Sequence, residues 1–197
     1  MCHHQNSPTI WIVERSLLEA TYEGVGERLF STHRLMTTPA SLNPDLLDGW
    51  ISTAQALAAR AHAGQTRRGG TPYLEHPAAV AAKVPPVLRP IAWLHDVCED
   101  SDLTPEDLRA AGLPEYVVLA VEAITKQSDE AYESYLERVL ANPEAAAVKC
   151  ADIDHNLGSQ PKPESRAKYL RALPRLLPVA SVAWPEVRTA LSFGEAR

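Results

Sequence analysis

Cysteine is scarce in this chain. Three cysteines occur in 197 residues, Cys2, Cys98 and Cys150. They form neither a CxxC pair nor an even-numbered set, as a disulfide framework would require. The pattern favours a reducing compartment, and we therefore expect a cytoplasmic protein.

Long apolar runs are also missing. No apolar stretch reaches the ~18–20 residues needed to cross a bilayer. The N-terminus lacks the basic and apolar segments of a signal peptide. We therefore expect no membrane partner. Hydrophobic residues make up 45% of the chain, which at this length is enough for one domain with a substantial core.

Positive charge is in deficit. Lys and Arg together number 19 against 25 Asp and Glu, and the net charge is −6. A general nucleic-acid binder carries a basic surface, so this class is disfavoured and we expect no nucleic-acid partner. An anionic substrate would need a local basic pocket.

Helical periodicity is present from residue 45 nearly to the C-terminus. Apolar residues recur at helical spacing over 45–64, and no stretch has a convincing strand pattern. We therefore predict an all-α fold, a compact helical bundle. Residues 1–40 lack sustained periodicity, which predicts an N-terminal extension over 1–40 and a helical domain over 41–197.

The prolines and glycines predict where helices begin and end. Gly64 is a plausible stop for the first helix, and a Gly-rich loop follows over 64–73. Short helices are predicted over 76–84 and from about residue 88 to residue 100. Thr104 and Asn142, each followed by proline, are typical N-caps. The last helical region, from about residue 164, is expected to be kinked or split at its two prolines, Pro174 and Pro178.

The stretch AWLHDVCED, residues 92–100, places several polar groups at the end of an apolar run. If 90–100 is one helix, His95 and Glu99 are i,i+4 neighbours, as are Asp96 and Asp100. Three carboxylates so close together repel each other and raise one another's pKa. A bound divalent cation would supply the missing positive charge.

Two further residues are candidates to complete such a site. His76 follows the Gly-rich loop, and Asp152 lies in a helix that otherwise has a core pattern. Together with His95 and Asp96 they give two imidazoles and two carboxylates. This mixed set suits manganese, iron or zinc better than calcium.

Four stretches together carry a family resemblance: AHAGQTRRGGTPYLEHPAAV (61–80), AWLHDVCED (92–100), AITKQ (123–127) and VKCADIDHN (148–156). They resemble the HD-domain hydrolase module of the RelA/SpoT family, most closely its short, stand-alone members, the small alarmone hydrolases and the metazoan SpoT homologue. The resemblance covers roughly 45–180. It implies an HD-type helical domain with a manganese ion that removes 3′-pyrophosphate from guanosine tetra- or pentaphosphate.

The resemblance also implies residue roles. The metal ligands would be His76, His95, Asp96 and Asp152, and the pair Glu99 and Asp100 would orient and deprotonate the attacking water. The substrate contacts would be Arg67 and Arg68 on the base side, Asn156 on the nucleotide, and Arg166, Lys168 and Tyr169 along a phosphate-facing stretch. The expected partner is a small nucleotide, and a homo-oligomer is left open.

Three features depart from the family pattern. Ile153 stands where the family usually has arginine directly after the metal aspartate, the connector from Ala82 to Leu88 is short, and the chain has no room for a synthetase domain. We expect hydrolysis without synthesis, and we expect Ile153 to join the core without disturbing the metal site. The competing idea is that the missing cation favours a less charged substrate.

Other functions stay open from the sequence. The same site could act on NADPH or an adenosine alarmone, or the chain could be a catalytically silent nucleotide-binding module. The complete set of six predicted catalytic and metal-binding residues argues against silence. A helical adaptor without a ligand would leave the acidic cluster unexplained.

Overall fold

The computed structural model describes residues 43–191. The predicted extension over 1–40 lies outside these residues, so that domain boundary stays a prediction. The described part is helical and has no strand, only one isolated bridge between Thr66 and Pro72. The predicted all-α fold is therefore confirmed. None of the described helices is long and apolar enough to cross a membrane.

The helices follow one another closely. They are α1 (Pro44–Ala61), α2 (Glu75–Ala81), a 3₁₀ turn (Pro86–Leu88), α3 (Arg89–Leu94), α4 (Val97–Asp100), α5 (Pro105–Ala110), α6 (Glu115–Ile124), α7 (Tyr132–Leu140), α8 (Pro143–Gly158), α9 (Pro163–Ala183) and α10 (Pro185–Ala190).

The predicted N-caps are present. The side chain of Asn142 accepts a hydrogen bond from the Ala145 amide at the start of α8. Thr104 forms a reciprocal capping box with Asp107 at the start of α5. The first helix begins at Pro44, one residue before the predicted start, because Asn43 is its N-cap. It ends at Ala61, three residues before Gly64.

Helix α8 is the centre of the fold. It packs against α2, α3, α6, α7, α9 and α10. Its residues from Ala145 to Val148 and from Cys150 to Asp154 are buried. Ile153 is fully buried, which confirms that it joins the core. The carboxylate of Asp154 is buried beside it and forms an ion pair with Lys83, just beyond the end of α2.

The prediction of one helix over 90–100 is wrong. Helix α3 ends at Leu94, and α4 begins at Val97. Asp96 has φ −105° and ψ −6°, in the bridge region of backbone space, and its carbonyl accepts the Glu99 and Asp100 amides as the N-cap of α4. The turn keeps His95 buried and leaves Glu99 and Asp100 exposed.

The last long helix is not split at its prolines. Helix α9 continues through Pro174 and Pro178. An internal proline costs a helix about 3 kcal/mol. Burial of Leu173, Leu176 and Ala180 along the helix face that packs on α8 offsets this cost.

Candidate active site

His95 is fixed by the break between α3 and α4. Its Nδ1 atom lies 2.7 Å from the carbonyl oxygen of Ala92. A carbonyl only accepts hydrogen bonds, so Nδ1 carries the hydrogen. In the neutral imidazole Nε2 then keeps its lone pair. The side chain is 1% exposed, and Nε2 faces the interior.

His76 faces His95 from the first turn of α2. The two Nε2 atoms are 3.1 Å apart. The Nε2 atom of His76 also lies 3.1 Å from Asp152 Oδ1 and 3.5 Å from Asp96 Oδ2. Three helical segments therefore aim polar atoms at one buried point.

The two aspartates are each held by hydrogen bonds from neighbouring side chains. Tyr73 donates its hydroxyl to Asp96 Oδ2 over 2.6 Å, and that oxygen lies 3.1 Å from His95 Nε2. Asn156 donates to Asp152 Oδ1 over 2.6 Å, and Lys149 Nζ lies 2.9 Å from Oδ2. Such contacts orient carboxylates that would otherwise rotate.

These donor atoms fit a divalent metal ion. One ligand atom each from His76, His95 and Asp152 lies within 4.8 Å of the others, and all three residues are buried. Asp96 adds a carboxylate oxygen beside both imidazoles. The structure thus brings together the four predicted ligands, and the cluster could hold a divalent cation in a mixed nitrogen and oxygen site.

The electrostatics of the cluster also favour a bound cation. Burial lowers the pKa of His95, but Asp96 and Asp152 outweigh it and raise the pKa to about 9. Burial raises the pKa of Asp152, but Lys149 and the two histidines outweigh it and hold the pKa well below its usual range. The cluster therefore attracts positive charge, which either a proton or a metal ion can supply.

Glu99 and Asp100 lie at the rim of the cluster and are exposed. Glu99 Oε2 accepts a hydrogen bond from the Lys126 amide over 3.2 Å. The carbonyl of Asp100 accepts one from Gln65 Nε2 over 3.1 Å. Glu99 lines the pocket described next, whereas Asp100 does not.

A pocket of about 310 Å³ opens beside the cluster. Of the predicted residues it is lined by His76, Asp96, Glu99 and Asp152, and by Arg67, Asn156, Lys168 and Tyr169. Its other lining residues, which sequence reasoning did not assign, are Tyr73, Lys126, Tyr132, Tyr135 and Lys149. The signal for the two lysines was their position inside the AITKQ and VKCADIDHN motifs.

Among residues 43–191, four cationic side chains line this pocket: Arg67, Lys126, Lys149 and Lys168. The chain as a whole carries a net charge of −6. The pocket therefore offers local cations to an anionic substrate, beside the three carboxylates of Asp96, Glu99 and Asp152.

Arg67 is tied to helix α8. Its Nη2 donates to Asn156 Oδ1 over 3.0 Å, and its Nη1 lies 2.6 Å from His155 Nε2. Burial and the nearby His76 and Arg67 lower the pKa of His155 to about 4, so its neutral ring accepts this hydrogen bond. Through Asn156 the loop arginine is connected to the carboxylate of Asp152.

The remaining predicted contacts differ in position. Lys168 Nζ lies 5.1 Å from the ring centre of Tyr132 and 5.5 Å from that of Tyr169, within reach of cation–π attraction. Arg68 and Arg166 are exposed and lie outside the pocket lining. The roles that the resemblance gave to these residues stay predictions.

A second cavity of about 710 Å³ adjoins this pocket. The two share Glu99 and Lys126. The second cavity extends past Cys98 and Thr104 to Arg138. Glu99 therefore stands between the metal-side pocket and a larger opening.

Known proteins share the helical architecture and parts of the sequence of this chain. No protein-family model matches the chain. A solved structure described as a metazoan ortholog of SpoT that hydrolyzes ppGpp has the same fold, with a TM-score of 0.58 and 22% sequence identity. The alignment covers 79% of this chain and 94% of that one.

Curated relatives are similar in sequence. SpoT of Escherichia coli, a bifunctional (p)ppGpp synthase/hydrolase, is 31% identical over 61% of this chain and 20% of its own length. A guanosine-3′,5′-bis(diphosphate) 3′-pyrophosphohydrolase of Vibrio cholerae is 48% identical over 30% of this chain and 9% of its own. A GTP pyrophosphokinase of Streptomyces coelicolor is 32% identical over 54% of this chain and 14% of its own length.

These comparisons confirm the predicted resemblance to RelA/SpoT-type HD hydrolases. The chain spans at most 20% of the length of these three curated relatives. Their names include both a hydrolase and a kinase activity, so the names alone do not define the reaction of this chain.

Proposed function

We propose that this chain is a metal-dependent phosphohydrolase that removes pyrophosphate from the 3′ position of guanosine tetra- or pentaphosphate. The observation that carries the proposal is one arrangement in an acidic chain: buried His76, His95 and Asp152 with the partly exposed Asp96 beside them, next to a pocket that four cations among residues 43–191 line. A metal site stabilises the charge that develops when a phosphate ester is cleaved, and nearby cations bind the remaining phosphate oxygens.

We propose manganese as the metal, held by His76, His95, Asp96 and Asp152. Their mixed nitrogen and oxygen set suits this ion. When bound, a divalent ion supplies Lewis acidity toward a phosphoryl oxygen and lowers the pKa of a water molecule.

The side chains around the metal site bind and orient the substrate. Lys126, Lys149 and Lys168 reach the pocket from three separate segments and can hold the phosphate groups. The planar guanidinium of Arg67 borders the same pocket and can stack on a base or pair with a phosphate. The rings of Tyr132 and Tyr169 form part of the wall.

Glu99 is the proposed base. It lines the pocket, and its Oε2 is occupied by the Lys126 amide. Within residues 43–191 its Oε1 makes no hydrogen bond, which leaves that oxygen to accept a proton from water. General bases contribute about 10²–10⁴-fold to rate. We assign Asp100 to orienting the same water from the exposed side of α4.

The burial of Ile153 supports the guanosine polyphosphate over a less charged substrate. Its side chain is in the core and does not line the pocket. In this chain residue 153 therefore contributes nothing to the pocket wall, whose cations come from other positions.

A substrate panel tests the proposal. Manganese-loaded protein is incubated with guanosine tetraphosphate, guanosine pentaphosphate, NADPH and an adenosine alarmone, and phosphate and pyrophosphate release are measured separately. We expect pyrophosphate from the guanosine substrates with the highest kcat/KM. A higher kcat/KM for NADPH would favour the alternative substrate, and cleavage of none would overturn the proposal. Incubation with GTP and ATP tests separately for the kinase activity in some relatives' names.

A further inference from the structure

The C-terminal end of α6 is closed by two side chains from α7. A helix end leaves its last four carbonyls without partners inside the helix. Here Tyr135 donates its hydroxyl to the Ile124 carbonyl over 2.9 Å. Arg138 donates to three more carbonyls, those of Glu122, Ala123 and Thr125. Positions 135 and 138 are three apart on α7, so both point from one face.

The guanidinium of Arg138 also holds the loop 125–131, which follows α6. Arg138 Nε lies 3.2 Å from Glu130 Oε1, and Nη2 lies 2.5 Å from Oε2, a two-pronged ion pair. Glu130 Oε2 also accepts the Gln127 amide over 3.2 Å. Both ends of the loop 125–131 are therefore attached to one arginine.

This loop holds Glu99. The amide of Lys126 donates to Glu99 Oε2, and over residues 43–191 it is the single hydrogen-bond donor to that carboxylate. Helix α4, which carries Glu99, has four residues, and the side chain is exposed. The position of this carboxylate therefore depends on a contact from another segment.

We propose that Arg138 is a positioning residue that fixes the Glu99 carboxylate through the loop 125–131. The inference rests on the proposed function, in which Glu99 accepts the proton of the attacking water. Arg138 borders the second cavity and not the metal-side pocket, so it acts through the Lys126 amide and not on the phosphates. Lysine cannot replace it, because an ammonium group lacks the planar fork that reaches three carbonyls and a carboxylate.

The test compares Arg138→Lys, Glu130→Gln and Glu99→Gln with Arg175→Gln as a matched control. Arg175 lies on α9 and pairs with Glu133 of α7, the helix that carries Arg138. It lies outside the lining of both cavities. We expect Arg138→Lys to lower kcat roughly tenfold or more, as displaced catalytic groups do, with KM and manganese content within twofold of wild type. Glu130→Gln should move kcat in the same direction by less, and Arg175→Gln should leave it unchanged.

The double variant Arg138→Lys/Glu99→Gln separates positioning from general stability. If Arg138 acts through Glu99, the double variant turns over no more slowly than Glu99→Gln alone. If the kcat losses of the two single variants multiply in the double variant, the proposal is overturned. An unchanged kcat in both Arg138→Lys and Glu130→Gln would also overturn it.

Amide hydrogen exchange gives a readout that needs no substrate. In folded Arg138→Lys protein the Lys126 amide should exchange at least roughly tenfold faster than in wild type, since local opening controls exchange. Unchanged exchange of this amide would overturn the positioning role. If the wild type cleaves no substrate while the Lys126 amide responds as expected, the proposed function fails and the positioning of Glu99 stands.

Discussion

The two halves of the site are built differently. The metal-binding half sits on α2, α8 and the turn after α3, and its histidines and Asp152 are at most 5% exposed. The water-handling half consists of Glu99 and Asp100 on a four-residue helix at the surface, with one amide from a loop holding Glu99. The core thus holds the proposed metal ligands in place, whereas the proposed base depends on a lightly supported rim.

This contrast predicts that variants of the two halves fail in different ways. Changes in the buried half should remove the metal and lower stability together. Changes at the rim should spare both and lower turnover alone.

The largest effect is expected from the buried half. His95→Ala and Asp152→Ala should each lose bound manganese and fall to background activity. Metal binding stabilises the folded state by mass action, so chelation should lower the melting temperature of wild type but not of these variants. Metal analysis and thermal melts with and without chelator check this. Full metal content and activity in both variants would contradict the site.

At the rim, Glu99→Gln should keep manganese and lose about 10²–10⁴-fold in kcat. The amide is nearly isosteric and can still accept from Lys126, but it cannot take a proton from water. Steady-state kinetics beside metal analysis measures both properties. Loss of metal in this variant would make Glu99 a ligand and erase the contrast between the halves.

A smaller effect is expected at the pocket wall. Lys168→Ala should raise KM about tenfold with little change in kcat, because hydrogen bonds to charged groups contribute about 1.5–3 kcal/mol. Arg171→Ala, an exposed cation one turn further along α9 and outside the pocket lining, is the matched control. Equal KM values for the two variants would show that Lys168 does not touch the substrate.

Ile153→Arg tests the core beneath the metal cluster. A buried, unpaired charge should cost about 3 kcal/mol or more, which at this size lowers the melting temperature by about 6 °C or more. Ile153→Val, which removes one methylene, should cost about 0.5–1.5 kcal/mol. An arginine variant that is stable and faster on guanosine tetraphosphate would place residue 153 at the pocket.

The smallest effect is expected from the N-terminal segment. A chain that begins at Met36 should keep the melting temperature and activity of the full chain, because the predicted extension carries none of the proposed site residues. A large drop in either quantity would show that the segment contributes to the folded domain.

The sequence predicted the metal-binding half better than the rim. The convergence of His76, His95, Asp96 and Asp152 could be predicted because motif and residue chemistry agree, and the N-caps at Thr104 and Asn142 because capping is local. The role of these four residues as metal ligands stays a prediction. The break at residues 95 and 96 could not be found, since it depends on contacts with Tyr73 and on burial of His95. Lys126 and Lys149 were visible in motifs, but only packing shows that they face the pocket.

The most direct test of the central claim is a manganese titration of metal-stripped protein, with pyrophosphate release from guanosine tetraphosphate as the readout. Hydrolysis yields GDP and pyrophosphate, one of each per substrate. We predict that release is absent without metal, rises with added manganese and reaches its plateau at about one ion per chain, the number that one cluster within residues 43–191 can hold. Pyrophosphate release that does not depend on manganese, or no pyrophosphate release at any manganese concentration, would contradict the account.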